Sequence, residues 1–154
     1  MRDRVRPPGE LEWVLDRLKE DGFFETKQKA IMFAASLGYS LRRADGKSGL
    51  ALQNHGEGIR MEYFERQLDD RFIELMALAS LRELEVLGQE RRAEVVQSFE
   101  EYAHAGLVEI KDRCYADNKD PMIGMLALID RARRPASGAL PGLDPERERV
   151  ANLL

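Results

Sequence analysis

Apolar residues recur at helical spacing in several segments of this chain, and this pattern limits it to a mainly helical fold. Residues 9–20 carry four apolar residues at i, i+3, i+4 and i+7, on one face of a helix: Leu11, Val14, Leu15 and Leu18. The same spacing predicts further helices over residues 27–37, 72–81, 89–105, 107–115 and 121–133. We therefore expect one compact, mainly α domain over residues 1–133, with about five to six helices, a short N-terminal strand and little other β structure.

Capping signals predict where these helices begin and end. Thr26 is placed as the N-cap of the second helix, and Asp120 followed by Pro121 begins the last one. Glycine commonly ends a helix because it adopts the left-handed conformation without strain. We therefore expect Gly38 to end the second helix and Gly106 to interrupt the long helical segment near residue 105.

The segments between and beyond the helices are polar or rich in glycine and proline. Residues 39–58 predict a long loop or a weak hairpin, and the alternation over residues 58–64 predicts a short strand or the edge of a helix. Residues 134–154 hold three of the six prolines, which predicts an extended or mobile tail with a helical turn over residues 145–153. The last predicted helix is expected to bury four residues: Ile123, Leu126, Ala127 and Ile129.

The composition excludes several classes of protein. The chain has 154 residues and one cysteine, Cys114, which excludes an internal disulfide and a cysteine-based zinc site. The two histidines, His55 and His104, are not spaced as a ligand pair, so we expect no metal and no cofactor. The charged N-terminus and the lack of a long apolar run predict a cytoplasmic protein without a membrane segment.

The motifs of common catalytic sites do not match this sequence. Gly46-Lys47-Ser48 is similar to the end of a phosphate-binding loop, but Leu41 stands where that loop needs a glycine. No serine lies in a G-x-S-x-G turn. We therefore expect no catalytic residue and no enzymatic activity. The least favoured alternative is a nuclease that uses scattered carboxylates: Glu57, Glu62, Asp69 and Asp70.

Basic residues gather in three short segments, although the formal net charge of the chain is −4. Arg2, Arg4 and Arg6 alternate with Asp3 and Val5, which places three guanidinium groups on one side of a strand. Guanidinium groups bind phosphates and guanine edges, and free amides at the start of a helix bind phosphates. The predicted DNA-binding residues are Arg2, Arg4, Arg6, Thr26, Lys27, Arg42, Arg43 and Lys47.

The first forty residues resemble the ribbon-helix-helix family of DNA-binding proteins, because a basic strand, a helix, a glycine turn and a second helix follow in order. In that family two chains pair their first strands and lay the ribbon in the major groove. The resemblance therefore implies a homodimer that binds DNA. The alternative interpretation is a basic N-terminal arm that leads into an ordinary helical bundle.

The longer pattern resembles the small proteins associated with Dnd systems, which carry out DNA phosphorothioation in bacteria. The matching segments are RDRVRPP, FFETKQKAIMFAASLGYS, GEGIRMEYFERQLDDRFIELMALAS and FEEYAHAGLVEI. The resemblance implies a non-enzymatic accessory protein of a DNA modification and restriction system that acts in defence. Its expected partners are DNA, bound through the basic strand, and proteins of the same system. The alternative is a protein–protein adaptor of that system without direct DNA contact.

Overall fold

The computed structural model describes residues 3–134, and this part of the chain is mainly helical. Its six α-helices are α1 (Glu12–Glu20), α2 (Lys27–Ala44), α3 (Met61–Arg66), α4 (Asp70–Leu81), α5 (Arg92–Cys114) and α6 (Pro121–Arg133). Two short strands, β1 (Arg4–Val5) and β2 (Ile59–Arg60), form an antiparallel pair. Short 3-10 turns lie at Gly9–Leu11, Leu84–Leu87 and Gln89–Arg91. The predicted fold class is confirmed. No helix within residues 3–134 is long and apolar enough to cross a membrane.

The predicted N-caps are confirmed at both sites. Thr26 precedes α2, and its Oγ1 atom accepts a hydrogen bond from the Lys29 amide at 3.2 Å. Asp120 precedes α6, and its Oδ1 atom accepts one from the Met122 amide at 2.9 Å. Each side chain satisfies an amide that the first helical turn leaves without a backbone acceptor. The apolar stripe of the first predicted helix is likewise buried in the core: Leu11, Val14, Leu15 and Leu18.

α5 is the central helix, and its most extensive contact is with α2. The two helices approach closely at two glycines. A Cβ atom on Gly38 would overlap the carbonyl oxygen of Tyr102, and one on Gly106 would overlap the carbonyl oxygen of Ala34. The predictions that Gly38 ends a helix and that Gly106 interrupts one are therefore wrong. Both helices continue through these glycines. Because glycine has no side chain, the backbones of α2 and α5 can come into close contact there.

α6 buries a different face from the predicted one. Gly124, Met125 and Leu128 face the core, whereas Ile123 is 67% and Leu126 is 59% exposed. Gly124 lies against the end of α5, where a Cβ atom would overlap the carbonyl oxygen of Arg113. This close approach sets the rotation of α6, so the prediction is wrong for Ile123, Leu126 and Ala127, which are exposed. Ile129, the fourth predicted residue, is half-buried and packs against the core.

β1 pairs with β2 of the same chain, with Arg4 opposite Arg60 and Val5 opposite Ile59. The alternation over residues 58–64 combines both predicted forms, because β2 is followed directly by α3. The ribbon-helix-helix resemblance implies that β1 pairs with a second chain, which differs from the pairing observed. The strand pair is completed within one chain, so the sheet itself supplies no reason for a dimer.

Candidate nucleic-acid interface

Three arginines occupy one side of the strand pair, and we call this surface the arginine face: Arg4, Arg6 and Arg60. Val5 is fully buried and Ile59 half-buried on the opposite side of the strands. Side chains alternate along a strand, so Arg4 and Arg6 point away from the core. Arg4 is half-buried, and the other two arginines are exposed. The predicted alternation in the basic N-terminal segment is therefore present over residues 4–6.

The arginine face has acidic neighbours, because the cleft that Arg4 and Arg60 line with Arg92 is also lined by three carboxylates: Asp3, Glu62 and Glu65. Arg4 lies directly opposite Arg60, and like charges at such positions repel each other. One carboxylate relieves this repulsion in part, because Glu62 lies 3.5 Å from the Arg60 guanidinium. Arg4 donates to the backbone carbonyl of Glu57 at 3.4 Å. Within residues 3–134, no carboxylate lies within ion-pair distance of Arg4 or Arg6.

β1 is anchored to the helical domain at both of its ends. The backbone amide of Arg6 donates to the Glu100 carboxylate at 2.6 Å, and Glu100 is only 1% exposed on α5. At the other end, the Met61 amide donates to the carbonyl oxygen of Asp3 at 2.7 Å. A buried charged acceptor makes a strong hydrogen bond. The arginine face is therefore presented from a fixed strand and not from a free N-terminal arm.

The glycine-rich segment over residues 54–58 also holds the N-terminal region. Asn54 Oδ1 accepts from the Gly9 amide at 2.8 Å, and the Gly56 amide donates to the Pro7 carbonyl at 2.8 Å. Gly58 has a φ of 78°, and a Cβ atom there would overlap the Val5 carbonyl oxygen. The polar, glycine-rich pattern of residues 39–58 predicts a loop here but does not indicate that the segment anchors the N-terminal region. The one signal for it is the close spacing of two glycines.

Glu12 links this glycine segment to α1 and α2. Its carboxylate accepts from the amides of Glu57 at 3.0 Å and Gly58 at 3.1 Å, and Lys27 Nζ lies 3.4 Å away. Burial acts to raise the pKa of Glu12, but these two amides and the Lys27 charge outweigh it, so the pKa lies below its ordinary value. The Glu12 carboxylate therefore accepts the hydrogen bonds of these two amides, which could otherwise bind a phosphate.

We expect Glu12 to make the stability of the protein sensitive to acid. Its folded-state pKa is lowered, so its contribution is complete above the ordinary glutamate pKa and is lost as the pH falls through the folded-state pKa. Glu12→Gln should lower the free energy of unfolding at neutral pH by roughly 1–2 kcal/mol. Urea unfolding should show that this difference shrinks on acidification. Glu10→Gln, on the exposed neighbouring turn, is the control. A difference that stays constant with pH would contradict this assignment.

The predicted residues at the start of α2 lie among acidic side chains. Lys27 Nζ is 3.4 Å from Glu12 and 3.2 Å from Asp16, and Lys29 Nζ is 2.7 Å from Asp69. A phosphate near Thr26 and Lys27 would therefore compete with carboxylates. The DNA contacts predicted for these two residues remain predictions.

The predicted cluster of Arg42, Arg43 and Lys47 lies at the opposite end of α2, about 25 Å from Lys27 at 1.5 Å per residue. Arg42 Nε donates to the Ser48 carbonyl at 2.5 Å, and Arg43 lies over the Tyr39 ring at 5.8 Å. Arg42 and Lys47 line a cleft of 270 Å³. The cluster is therefore separate from the start of α2. Arg2 lies outside the described residues. Arg60, which no prediction included, joins Arg4 and Arg6.

Three of the residues considered for metal binding and catalysis occupy structural positions: Cys114, His104 and Asp69. Among residues 3–134, no group of three or more His, Cys, Asp and Glu side chains could hold a metal ion. Cys114 is buried, and this burial raises the pKa of its thiol, which makes it a poor nucleophile. His104 Nδ1 lies 3.1 Å from the Leu50 carbonyl oxygen, and Asp69 accepts from Gln28 at 2.7 Å.

These features define a small helical protein whose N-terminal basic strand is paired within the chain and fixed to the helices. The sequence pattern of the family described as DNA sulphur modification system-associated protein 4 matches residues 4–140. The chain belongs to this family, as its Dnd-associated resemblance predicted. The family association supports an accessory role beside the DNA sulphur modification system. No curated protein and no solved structure gives a significant match.

Proposed function

We propose that this chain is a non-enzymatic accessory protein of DNA sulphur modification and restriction that contacts DNA through the arginine face. The observation that carries the proposal is the position of Arg4 directly opposite Arg60 on the exposed side of an anchored strand pair. Two facing cations weaken a sheet unless a counter-ion lies between them. A DNA phosphate supplies that negative charge, and guanidinium groups bind phosphate oxygens in pairs.

The geometry of the arginine face suits a phosphate backbone. Arg4 and Arg60 sit on neighbouring strands about 5 Å apart, and Arg6 follows Arg4 about 7 Å along the strand. The anchors at Glu100 and Glu12 hold the strand in place before binding, so little order is lost when DNA binds. The rest of the chain is acidic, with a formal net charge of −4 overall. We therefore expect weak binding that depends strongly on salt.

Fluorescence anisotropy with a short labelled duplex at low salt tests this proposal. Replacing Arg4, Arg6 and Arg60 together by alanine should weaken binding at least about tenfold, because three phosphate contacts are lost. The control replaces three exposed arginines elsewhere, Arg71, Arg113 and Arg133, and so changes the net charge equally. The control should bind DNA within about threefold of the unchanged protein. Absence of DNA binding by the intact protein, or equal losses in both variants, would refute direct contact through this face.

The second candidate function is a protein–protein adaptor of the same system. It is favoured by the exposed apolar side of α6, where Met122, Ile123 and Leu126 are all more than half exposed. Contiguous exposed apolar residues commonly mark a protein interface. The same arginine variants separate the two functions. An adaptor without DNA contact would bind the system's proteins equally well with or without the arginine face, and the intact protein would not bind DNA.

A further inference from the structure

The outward side of α4 is apolar, although α4 already buries its opposite side in the core. The buried side contributes Ile73, Met76 and Ala77, which pack within the helical domain. On the outward side, Leu75 is 63% exposed, and Ala79 one turn further on is exposed as well. A helix that is apolar on all sides is normally buried on all sides. The outward side of α4 therefore has the composition of a surface that another molecule covers.

Leu68 adds a second observation just before α4 begins. Its side chain is 67% exposed, and its backbone has a φ of 61°, in the left-handed region that favours glycine. A leucine in this conformation is strained, and an exposed side chain gains little from the core. Folding alone therefore gives no reason for a leucine at this position, whereas contact with another molecule does.

The outward positions of α4 have the spacing of a helix that packs against a second helix. Arg71, Leu75, Leu78 and Arg82 follow one another at intervals of four, three and four positions. In coiled coils this alternation keeps one line of side chains toward the partner helix. Leu78 is half-buried, and the other three residues are exposed. We call these four residues the α4 stripe.

The two ends of the α4 stripe are basic. Arg71 and Arg82 lie about 16 Å apart along the helix axis, at about 1.5 Å per residue. Across the described range 3–134, no carboxylate lies within ion-pair distance of either guanidinium group. A second copy of α4 would bring arginines against arginines, which is unfavourable. The charge pattern therefore favours a partner with negative charge at both ends of its contact surface.

We propose that the α4 stripe binds an acidic amphipathic helix of a partner protein. Apolar side chains of that helix would cover Leu75 and Leu78, and two of its carboxylates, eleven positions apart, would pair with Arg71 and Arg82. Amphipathic helices commonly bind through such a line of apolar anchors, and complementary charges at the ends fix their register. The α4 stripe shares no residue with the arginine face or with α6. The proposal therefore stands whether or not those surfaces bind their partners.

The test is an NMR titration of the full chain with two synthetic helical peptides. Both peptides carry a line of leucines, and they differ only at two positions, eleven residues apart, which hold glutamate in one peptide and lysine in the other. The glutamate peptide should shift the methyl signals of Leu75 and Leu78 saturably. Its affinity should be at least about tenfold higher than that of the lysine peptide. Replacing Arg71 and Arg82 together by glutamate should reverse this preference, because the charges are then exchanged.

Leu75→Ser should weaken binding of the glutamate peptide at least about tenfold. Leu126→Ser is the matched control, because it removes a similarly exposed leucine from α6, and it should bind this peptide as the unchanged protein does. The absence of saturable shifts, or equal losses in both variants, would overturn the surface. Equal binding of the two peptides would overturn the acidic partner. A dimer of the unchanged protein that Leu75→Ser dissociates would assign the α4 stripe to a second copy and would also overturn the proposal.

Discussion

Replacing Gly106 by alanine should strongly destabilise the folded protein. The added Cβ atom would overlap the carbonyl oxygen of Ala34 on α2, and backbone atoms cannot move aside as a flexible side chain can. α2 and α5 would have to separate along their most extensive contact. We expect a loss of at least ~3 kcal/mol, a large part of the ~5–15 kcal/mol that stabilises an ordinary domain. Gly38→Ala should act similarly, because it faces the carbonyl of Tyr102.

Circular dichroism and urea unfolding measure this effect directly. Gly88→Ala is the control, because Gly88 has a φ of −70° and its added Cβ atom would meet its nearest neighbour, the Glu85 carbonyl oxygen, at 3.3 Å. Its free energy of unfolding should change by less than about 1 kcal/mol. If Gly106→Ala unfolds at the same urea concentration as the unchanged protein, that result would contradict the close backbone contact between α2 and α5.

Replacing Glu100 by alanine should release β1 from the domain and weaken DNA binding, although every arginine remains. The Arg6 amide would lose its charged acceptor inside the protein, which should cost roughly 2–3 kcal/mol of stability. The arginine face would then no longer be held in place. Hydrogen exchange at the Arg6 amide should become much faster, and urea unfolding should confirm the loss of stability.

Glu101→Ala is a sharp control for this prediction. It removes the same charge from the neighbouring position of α5, but within residues 3–134 the Glu101 side chain accepts a hydrogen bond only from Gln97 of its own helix, at 3.0 Å. Removing a negative charge without moving β1 should leave DNA binding equal or slightly tighter. The two variants should therefore change DNA affinity in opposite directions. A parallel change in both would show that Glu100 acts on DNA binding only through net charge.

Local signals in the sequence predicted much of this fold. The spacing of Leu11, Val14 and Leu18 and the caps at Thr26 and Asp120 depend on neighbouring residues alone, and these predictions are confirmed. Features that depend on distant parts of the chain were missed or misassigned. Gly38 and Gly106 look like helix ends in sequence, and only their contacts across two helices show why glycine is needed there.

The candidate site was predictable to a smaller extent. The alternation of Arg4, Val5 and Arg6 correctly predicts a strand with one basic side. Its partner, Arg60, lies 56 positions from Arg4, and no local pattern joins the two strands. The anchors are equally remote, because Glu100 on α5 resembles any charged residue on a helix surface. Long-range pairing of this kind depends on the complete fold.

The salt dependence of DNA binding tests the central claim most directly. Each phosphate contact contributes about 0.9 to the slope of log K against log salt concentration. This slope is negative. Anisotropy titrations at several salt concentrations should therefore show that its magnitude falls by about 2–3 when Arg4, Arg6 and Arg60 are all replaced by alanine. The control variant at Arg71, Arg113 and Arg133 should keep the original slope. An unchanged slope in the arginine-face variant would contradict the proposal that this face binds the DNA backbone.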